Sequence, residues 1–385
     1  MKLKPGFTIQ HIGSTCYILP YGQNIANHRR GFSFNGVGEY VIELINREMS
    51  REGLRSEYLK HFMAGPEERS ELINDLDQFL DQLISGGFIE DDAAPLGSGE
   101  QPRAYLNIGG LTIAYCGPRE LIDASFLKDF CVEPCENTEL RVFVDRGSSD
   151  SAEDGDILLR CGELIVSERE RDYLLRFPSF SQIREVELLK DGSSAVFHCA
   201  SPYTEVLGEE FFHALRHVFL YLAAKHSMYA IHSASLCYQG KAWLFSASSG
   251  TGKSTHTNMW KELYDIELLN GDLNLLTIEN GRPVVHGIPW CGTSEIFTKK
   301  TVPLGGIILL KQAADDTIEE LPPDKQALLV MQRFISPMWT AGQLKESVSF
   351  AEELTKEILV CRLRCTKNNS AAGLSKSRID RELCE

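Results

Sequence analysis

The chain has 385 residues, 43% of them hydrophobic and 24% charged, with a formal net charge of −15. That length suits roughly two to three domains with sizeable cores, and the composition excludes disordered and fibrous classes. An acidic surface with no long Lys/Arg run repels nucleic acid and anionic lipid, so small molecules or peptides are the expected partners, and a homo-oligomer is compatible with it.

Met1 to Pro5 lacks the apolar run of a signal peptide and no stretch has the apolar length of a spanning helix, so a cytoplasmic location is expected. The eleven cysteines are an odd number scattered along the chain, which points to reduced thiols. Cys131/Cys135 and Cys361/Cys365 have zinc-compatible spacing, yet no His or further Cys is close in sequence to complete a site. Cys361, Leu363 and Cys365 instead alternate as one face of a strand.

In chain order, residues 6 to 20 read as a hairpin turning at Gly13-Ser14. Asn35 then caps a helix with Val37, Tyr40, Val41, Leu44 and Ile45 on one face, Ser50 to Phe62 carries a second helix, and Glu67 to Ile84 a third. Gly86-Gly87 stops the third before Phe88-Ile89 begins a strand. A hairpin, three helices and a closing strand make a winged-helix pattern. On Pro5-Gly6-Phe7, Asn35-Gly36-Val37-Gly38 and Leu83 to Ile89, this stretch resembles the PqqD-like family, the recognition elements that bind leader peptides of ribosomally made precursors. The resemblance covers residues 1 to 92. It implies that a peptide adds a strand to a sheet edge beside a helix; a DNA-binding winged helix and a plain packing domain are the alternatives, and acidity disfavours the first.

Asp91 to Gln101 reads as a linker, with 93–102 as its span. Residues 103–200 form a β-rich scaffold with strands at Tyr105 to Tyr115, Leu140 to Val144, Asp156 to Cys161 and Ala195 to Cys199, and a loop over Asp145 to Asp156. Glu209 to Ala224 is an amphipathic helix; its His213 and His217 lack the third ligand and motif of a metal site.

Two apolar runs, Tyr229 to Tyr238 and Lys241 to Ser246, then deliver the chain into Ala247 to Thr255. The pattern is that of a phosphate-binding loop with Ala247 in place of the usual first Gly. Gly250 and Gly252 permit the backbone angles that turn amide N–H groups inward, and the following helix, opened by Thr255, adds the positive end of its dipole. Ser248, Ser249, Gly250, Thr251, Gly252, Lys253, Ser254 and Thr255 are therefore the candidate ATP-binding residues, with Lys253 reaching the β and γ phosphates and the Ser254 hydroxyl available to Mg2+. Ile266 to Asp272 reads as a strand ending on a carboxylate, able to hold Mg2+ or take a proton, although Asp272 also fits a plain turn. His286 to Gly292 is a Gly/Pro-punctuated loop on the substrate side, and Lys299/Lys300 suit either phosphate contact or a solvated face. Val302 to Leu310 and Val360 to Cys365 are buried strands, and Thr366 to Glu385 reads as polar, with 371–385 as a tail.

Taken together, His232, residues 247 to 255, Asp272 and His286 to Gly292 resemble the HPr kinase family, whose fold is shared with phosphoenolpyruvate carboxykinases. The resemblance spans roughly residues 200 to 370, with 201–370 as the catalytic domain. It implies an α/β (α+β) chain in which a mixed-sheet P-loop domain follows the winged helix, and transfer of a γ phosphate from ATP to a Ser or Thr hydroxyl. Lys253 would stabilise phosphates, Ser254 and Asp272 would hold Mg2+, Asp272 would double as base, and His232 would orient it. The family carries two adjacent acidic residues where this chain has Gly271-Asp272, and its phosphorylase loop is not recognisable. The readings that follow are a kinase acting on a precursor peptide or small protein, a nucleotide-gated peptide chaperone or regulatory pseudokinase, and a small-molecule kinase.

Overall fold

A computed structural model describes residues 2–4, 6–13, 15–26, 31–34, 36–47, 49, 51–63, 69–85, 88–90, 101–135, 137–146, 155–199, 204–248 and 250–384. The expected cap Asn35, the breaker Gly86-Gly87, residues 91–100 of the expected linker, residues 147–154 of the expected loop and Ser249 lie outside them. The chain divides into two compact units, Met1–Glu100 with Ser148–Asp154, and Gln101–Gly147 with Gly155–Glu385.

In the first unit, the hairpin β2 (Phe7–Ile12) and β3 (Thr15–Pro20) is extended by β4 (Phe32–Phe34), and β1 (Lys2–Leu3) pairs antiparallel with β5 (Ile89–Glu90). A short α1 (Gln23–Ala26) precedes β4; α2 (Gly36–Ile45), α3 (Arg51–His61) and α4 (Arg69–Ser85) follow it. The helical spacing of Val41, Ile42, Leu44 and Ile45, of Leu54 and Tyr58, and of Leu76, Leu80 and Leu83 buries one stripe of each helix against Phe7, Ile18 and Ile89. The hairpin, three helices and closing strand stand where the apolar pattern puts them. β1 had no signal, because a two-residue strand is specified by its partner.

The second unit holds two sheets. The first runs β10-β11-β12-β13-β14-β9-β7-β6-β8, built from β6 (Ala104–Ile108), β7 (Leu111–Cys116), β8 (Cys131–Val132), β9 (Leu140–Arg146), β10 (Asp156–Arg160), β11 (Ile165–Glu168), β12 (Asp172–Arg176), β13 (Ile183–Leu189) and β14 (Ser194–Cys199), with α5 (Glu120–Asp123) after β7. Then come α6 (Glu205–Lys225), β15 (Tyr229–Tyr238), β16 (Lys241–Ser246), α7 (Lys253–Tyr264), β17 (Glu267–Asn270), β18 (Leu273–Glu279), β19 (Arg282–His286) and β20 (Thr301–Gln312). The chain ends with β21 (Thr317–Glu320), α8 (Pro323–Met331), α9 (Ala341–Leu354), β22 (Leu359–Cys365) and α10 (Asn369–Cys384). The second sheet is mixed, with β16–β20 and β20–β22 parallel and its other pairs antiparallel. The architecture is mixed α/β. Phe211, Leu215, Val218, Phe219 and Leu222 of α6 join both sheets in one core with Ile113, Phe197, Leu273 and Trp290, so residues 103–200 share their core with the segment that follows.

The polar tail expected over 371–385 is corrected: Asn369–Cys384 is a helix that buries Ala371, Ala372, Ser375 and Ile379 against Trp260, Phe245 and Cys361. Small residues make that contact, which is why mean polarity hid it. Cys361 and Cys365 are buried on β22, burial pushing the Cys361 thiol up to about 12, and no disulfide joins cysteines among the described residues. Among the described residues no helix is long and apolar enough to cross a membrane.

Candidate nucleotide and phosphoryl-transfer site

The site sits where β15 changes partners. His232 is the last residue of β15 paired with β18, opposite Leu273, and Ser233 is the first paired with β16, opposite Ser246. Register alone therefore brings together the histidine, the start of the loop after Ser246 and the turn before Leu273. Three hydrogen bonds fasten this junction: the Ser233 N–H donates to the Asp272 carbonyl at 2.9 Å, the Ser246 hydroxyl to the His232 carbonyl at 2.7 Å, and the His232 N–H to the Arg333 carbonyl at 3.0 Å.

The loop has the local conformation its glycines allow. Gly250 and Gly252 have φ of 74° and 113°, angles that an L side chain resists, and α7 starts at Lys253 rather than Thr255. Ala247 is buried beneath the loop in the core of Phe245 and Trp260, so a methyl group at the first position is accommodated. Thr251, Gly252 and Thr255 also line a cavity of about 320 Å3 with His256, Met259, Gln312 and Lys367.

Lys253 is 8% exposed, and its Nζ lies 2.9 Å from His232 Nε2, which in turn lies 3.1 Å from Asp272 Oδ1. One ring nitrogen cannot serve both neighbours. With a proton it donates to Asp272, and without one it accepts from Lys253. Burial lowers the proton affinity of Lys253, the nearby Asp272 carboxylate opposing and Arg333 adding to the effect. The hydrogen bond from His232 holds the Asp272 carboxyl below the usual carboxylate range against the opposing effect of burial, with His232, Lys253 and Arg216 adding charge. Lys253 is thus a nearly buried ammonium with no carboxylate ion pair among the described residues, and a phosphate would supply the missing anion. Ser254 is exposed at the start of α7, and Asp272 Oδ2 has no hydrogen-bond partner among the described residues; this hydroxyl and carboxylate are donors of the kind Mg2+ takes.

Asp272 is not at a strand end, as expected, but in the turn two residues after β17. A buried polar network holds that turn. Asn270 Oδ1 accepts from the Asp272 and Leu273 N–H groups at 2.9 and 3.0 Å, its Nδ2 donates to the Ile288 carbonyl, and Ser235 donates to Asn274 Oδ1 at 2.6 Å. At Gly271 a Cβ would collide with the Ser294 side chain, so the residue before Asp272 has no room for a side chain. Trp290, expected in a substrate-side loop, is 3% exposed; its Nε1 donates to the Phe212 carbonyl at 2.9 Å and its ring packs on Phe212 and Phe219. It fastens the segment after β19 to α6.

Two arginines were not anticipated. Arg333, fixed beside His232 by the Phe334–Ile231 bridge, donates from Nη1 to Ser248 Oγ at 3.2 Å, bringing a second cation to the loop. Arg216 on α6 acts electrostatically on Asp272. Arg333 lies in an unremarkable stretch and carried no signal, whereas Arg216, a cation inside the aromatic run Phe211 to Leu222, was a visible one. His213 and His217 gather no third metal donor among the described residues. Lys300 pairs with Glu267 at 2.7 Å on the surface, and Lys299 lines a cavity of about 510 Å3 with Asp129, Glu279 and His286 whose lining includes no loop residue.

No protein-family model matches the chain, and no curated protein sequence does. Among solved structures it is similar to the HPr(Ser) kinase/phosphatase from Coxiella burnetii at 14% identity, over 40% of this chain and 98% of that one, with a TM-score of 0.24. A likeness of that size carries no inference about fold or activity.

Proposed function

We propose that the second unit is an ATP-dependent phosphotransferase of the HPr kinase-like type, and that the first unit recruits its acceptor, a precursor peptide or small protein. The observation that supports this most is the meeting of Lys253, His232 and Asp272 within hydrogen-bond distance at the mouth of a phosphate-type loop. Loop amides, Lys253 and Arg333 bind and neutralise the phosphates, drawing Lys253 away from His232 and leaving the imidazole to donate to Asp272. Ser254 and Asp272 would hold Mg2+, which would supply charge neutralisation at the transferring group. The acceptor oxygen forms the new P–O bond, the bond from the γ phosphorus to the bridging oxygen breaks with its electron pair leaving on ADP, and the hydroxyl proton passes to Asp272. A lowered proton affinity makes Asp272 a weak base, which suffices where proton transfer is late in a loose transition state. The cavity beside Thr251 and Lys367 is of a size to take the nucleoside.

Recruitment by the first unit is supported by its open three-stranded sheet, with β2 and β4 at the edges, and by the exposed apolar side chains Ile12, Tyr21 and Ile25. Incubating the full chain with Mg2+, γ-labelled ATP and a Ser/Thr peptide library tests the proposal, and label in peptide is the expected result. A nucleotide-gated binding module is the second reading, favoured by the side chain of Ser294 standing where a second carboxylate would project; tight ATP binding with no label in any peptide is its signature.

A further inference from the structure

Arg216 lies midway along α6, between Phe212 and Phe219, the two rings that hold Trp290. It is partly buried, and among the described residues its guanidinium has neither a hydrogen bond nor an ion pair with a carboxylate within 4.0 Å. The charges that act on it, Asp272 and Glu163, do so at longer range. An unpaired guanidinium in a crowded setting costs free energy unless something binds it, and its planar fork suits a carboxylate or a phosphate.

Its place relative to Asp272 says which part of the reaction it serves. Trp290 packs on Phe212 and Phe219, and Gly292, two residues on, lies so close to Asp272 that a Cβ there would stand 2.9 Å from the Asp272 Cβ, so the stretch of α6 that carries Arg216 backs onto the Asp272 turn. Lys253 and Arg333 stand at the loop, whereas Arg216 comes from α6, a separate element. His217, next to Arg216 in sequence, is kept neutral at ordinary pH, burial and the Arg216 charge taking it down to about 4, and its ring lies against Phe177, so it brings no second positive charge.

We propose that Arg216 is the anchor of the acceptor subsite and binds an anionic group, a carboxylate or a phosphate, that the acceptor carries close to the hydroxyl receiving the γ phosphate. The inference rests on the phosphotransferase reading above. The bland alternative is that the Arg216 stem packs on α6 while its head is merely solvated.

The test uses the full chain saturated with Mg2+ and a non-hydrolysable ATP analogue, which fills the phosphate loop, titrated calorimetrically with inorganic phosphate and separately with acetate. The loaded wild type is expected to bind at least one of them, and the anion it prefers distinguishes a phosphate from a carboxylate source. Arg216→Gln is expected to weaken that binding about tenfold or more, with Arg216→Lys in between. The nucleotide affinity of each variant reports whether it is folded. Failure of the loaded wild type to bind either anion, or equal binding by Arg216→Gln, overturns the assignment. A Lys253→Ala chain that binds nucleotide as well as wild type overturns the phosphate-loop reading instead, so the two failures are distinguishable.

Discussion

Ser375 is expected to hold the C-terminal helix α10 onto α7, the helix that follows the loop of Gly250 and Gly252. Its hydroxyl is fully buried, accepts from Trp260 Nε1 at 3.1 Å, donates to the Ala372 carbonyl at 3.0 Å and lies 3.1 Å from His256 Nε2. With its proton on Ala372, the oxygen has two lone pairs for the Trp260 and His256 N–H groups, and the three-way junction is satisfied. Ser375→Ala leaves both ring nitrogens buried and unpartnered, at roughly 1–3 kcal/mol each, so a loss of about 2–6 kcal/mol is expected. Urea unfolding followed by circular dichroism reads it, with Ser377→Ala, an exposed serine on the same helix, as the control. A Ser375→Ala chain within about 0.5 kcal/mol of wild type, a typical surface-substitution effect, refutes the reasoning.

His256 gives a pH signature of the same junction. Burial depresses its folded proton affinity to about 4 from an ordinary 6.5, so between those values the unfolded chain binds a proton that the folded chain does not. Stability then falls as pH drops from 6.5 to about 4, by up to roughly 3 kcal/mol, and the slope should be shallower in His256→Gln. Gly271→Asp, which supplies the second acidic residue of the resembling family, is expected to collide with Ser294 and cost about 1–3 kcal/mol in chemical denaturation, with Ser294→Gly partly relieving it. Arg333→Ala should weaken ATP binding by about tenfold in a calorimetric titration, through loss of charge at Ser248.

What was legible in the sequence is what local patterns determine. Gly250, Gly252 and Lys253 dictate a loop through backbone angles and spacing, and the apolar stripes of α2, α4 and α6 dictate helices. His232 and Asp272 are different: Asp272 reads from its position as a carboxylate closing a strand, His232 is singled out by resemblance, and it is the change of strand partner between His232 and Ser233 that brings them together. Arg333 reaches Ser248 across 85 residues of chain through a single backbone bridge, beyond the reach of any periodicity. β11 to β13 escaped because their charged residues, Arg169 with Asp172 and Glu187, and Arg176 with Glu185, pair along the sheet and leave little alternation to read. Gly271 departs from the motif because Ser294 occupies the space a side chain there would need.

The most direct test of the account separates nucleotide binding from transfer in two variants. Lys253→Ala should lose ATP binding, whereas Asp272→Asn should still bind the nucleotide and lose γ-label transfer to its peptide acceptor by about a hundredfold or more, the scale of a positioned general base. Transfer by Asp272→Asn at the wild-type rate would contradict the central claim that Lys253, His232 and Asp272 form one phosphoryl-transfer site.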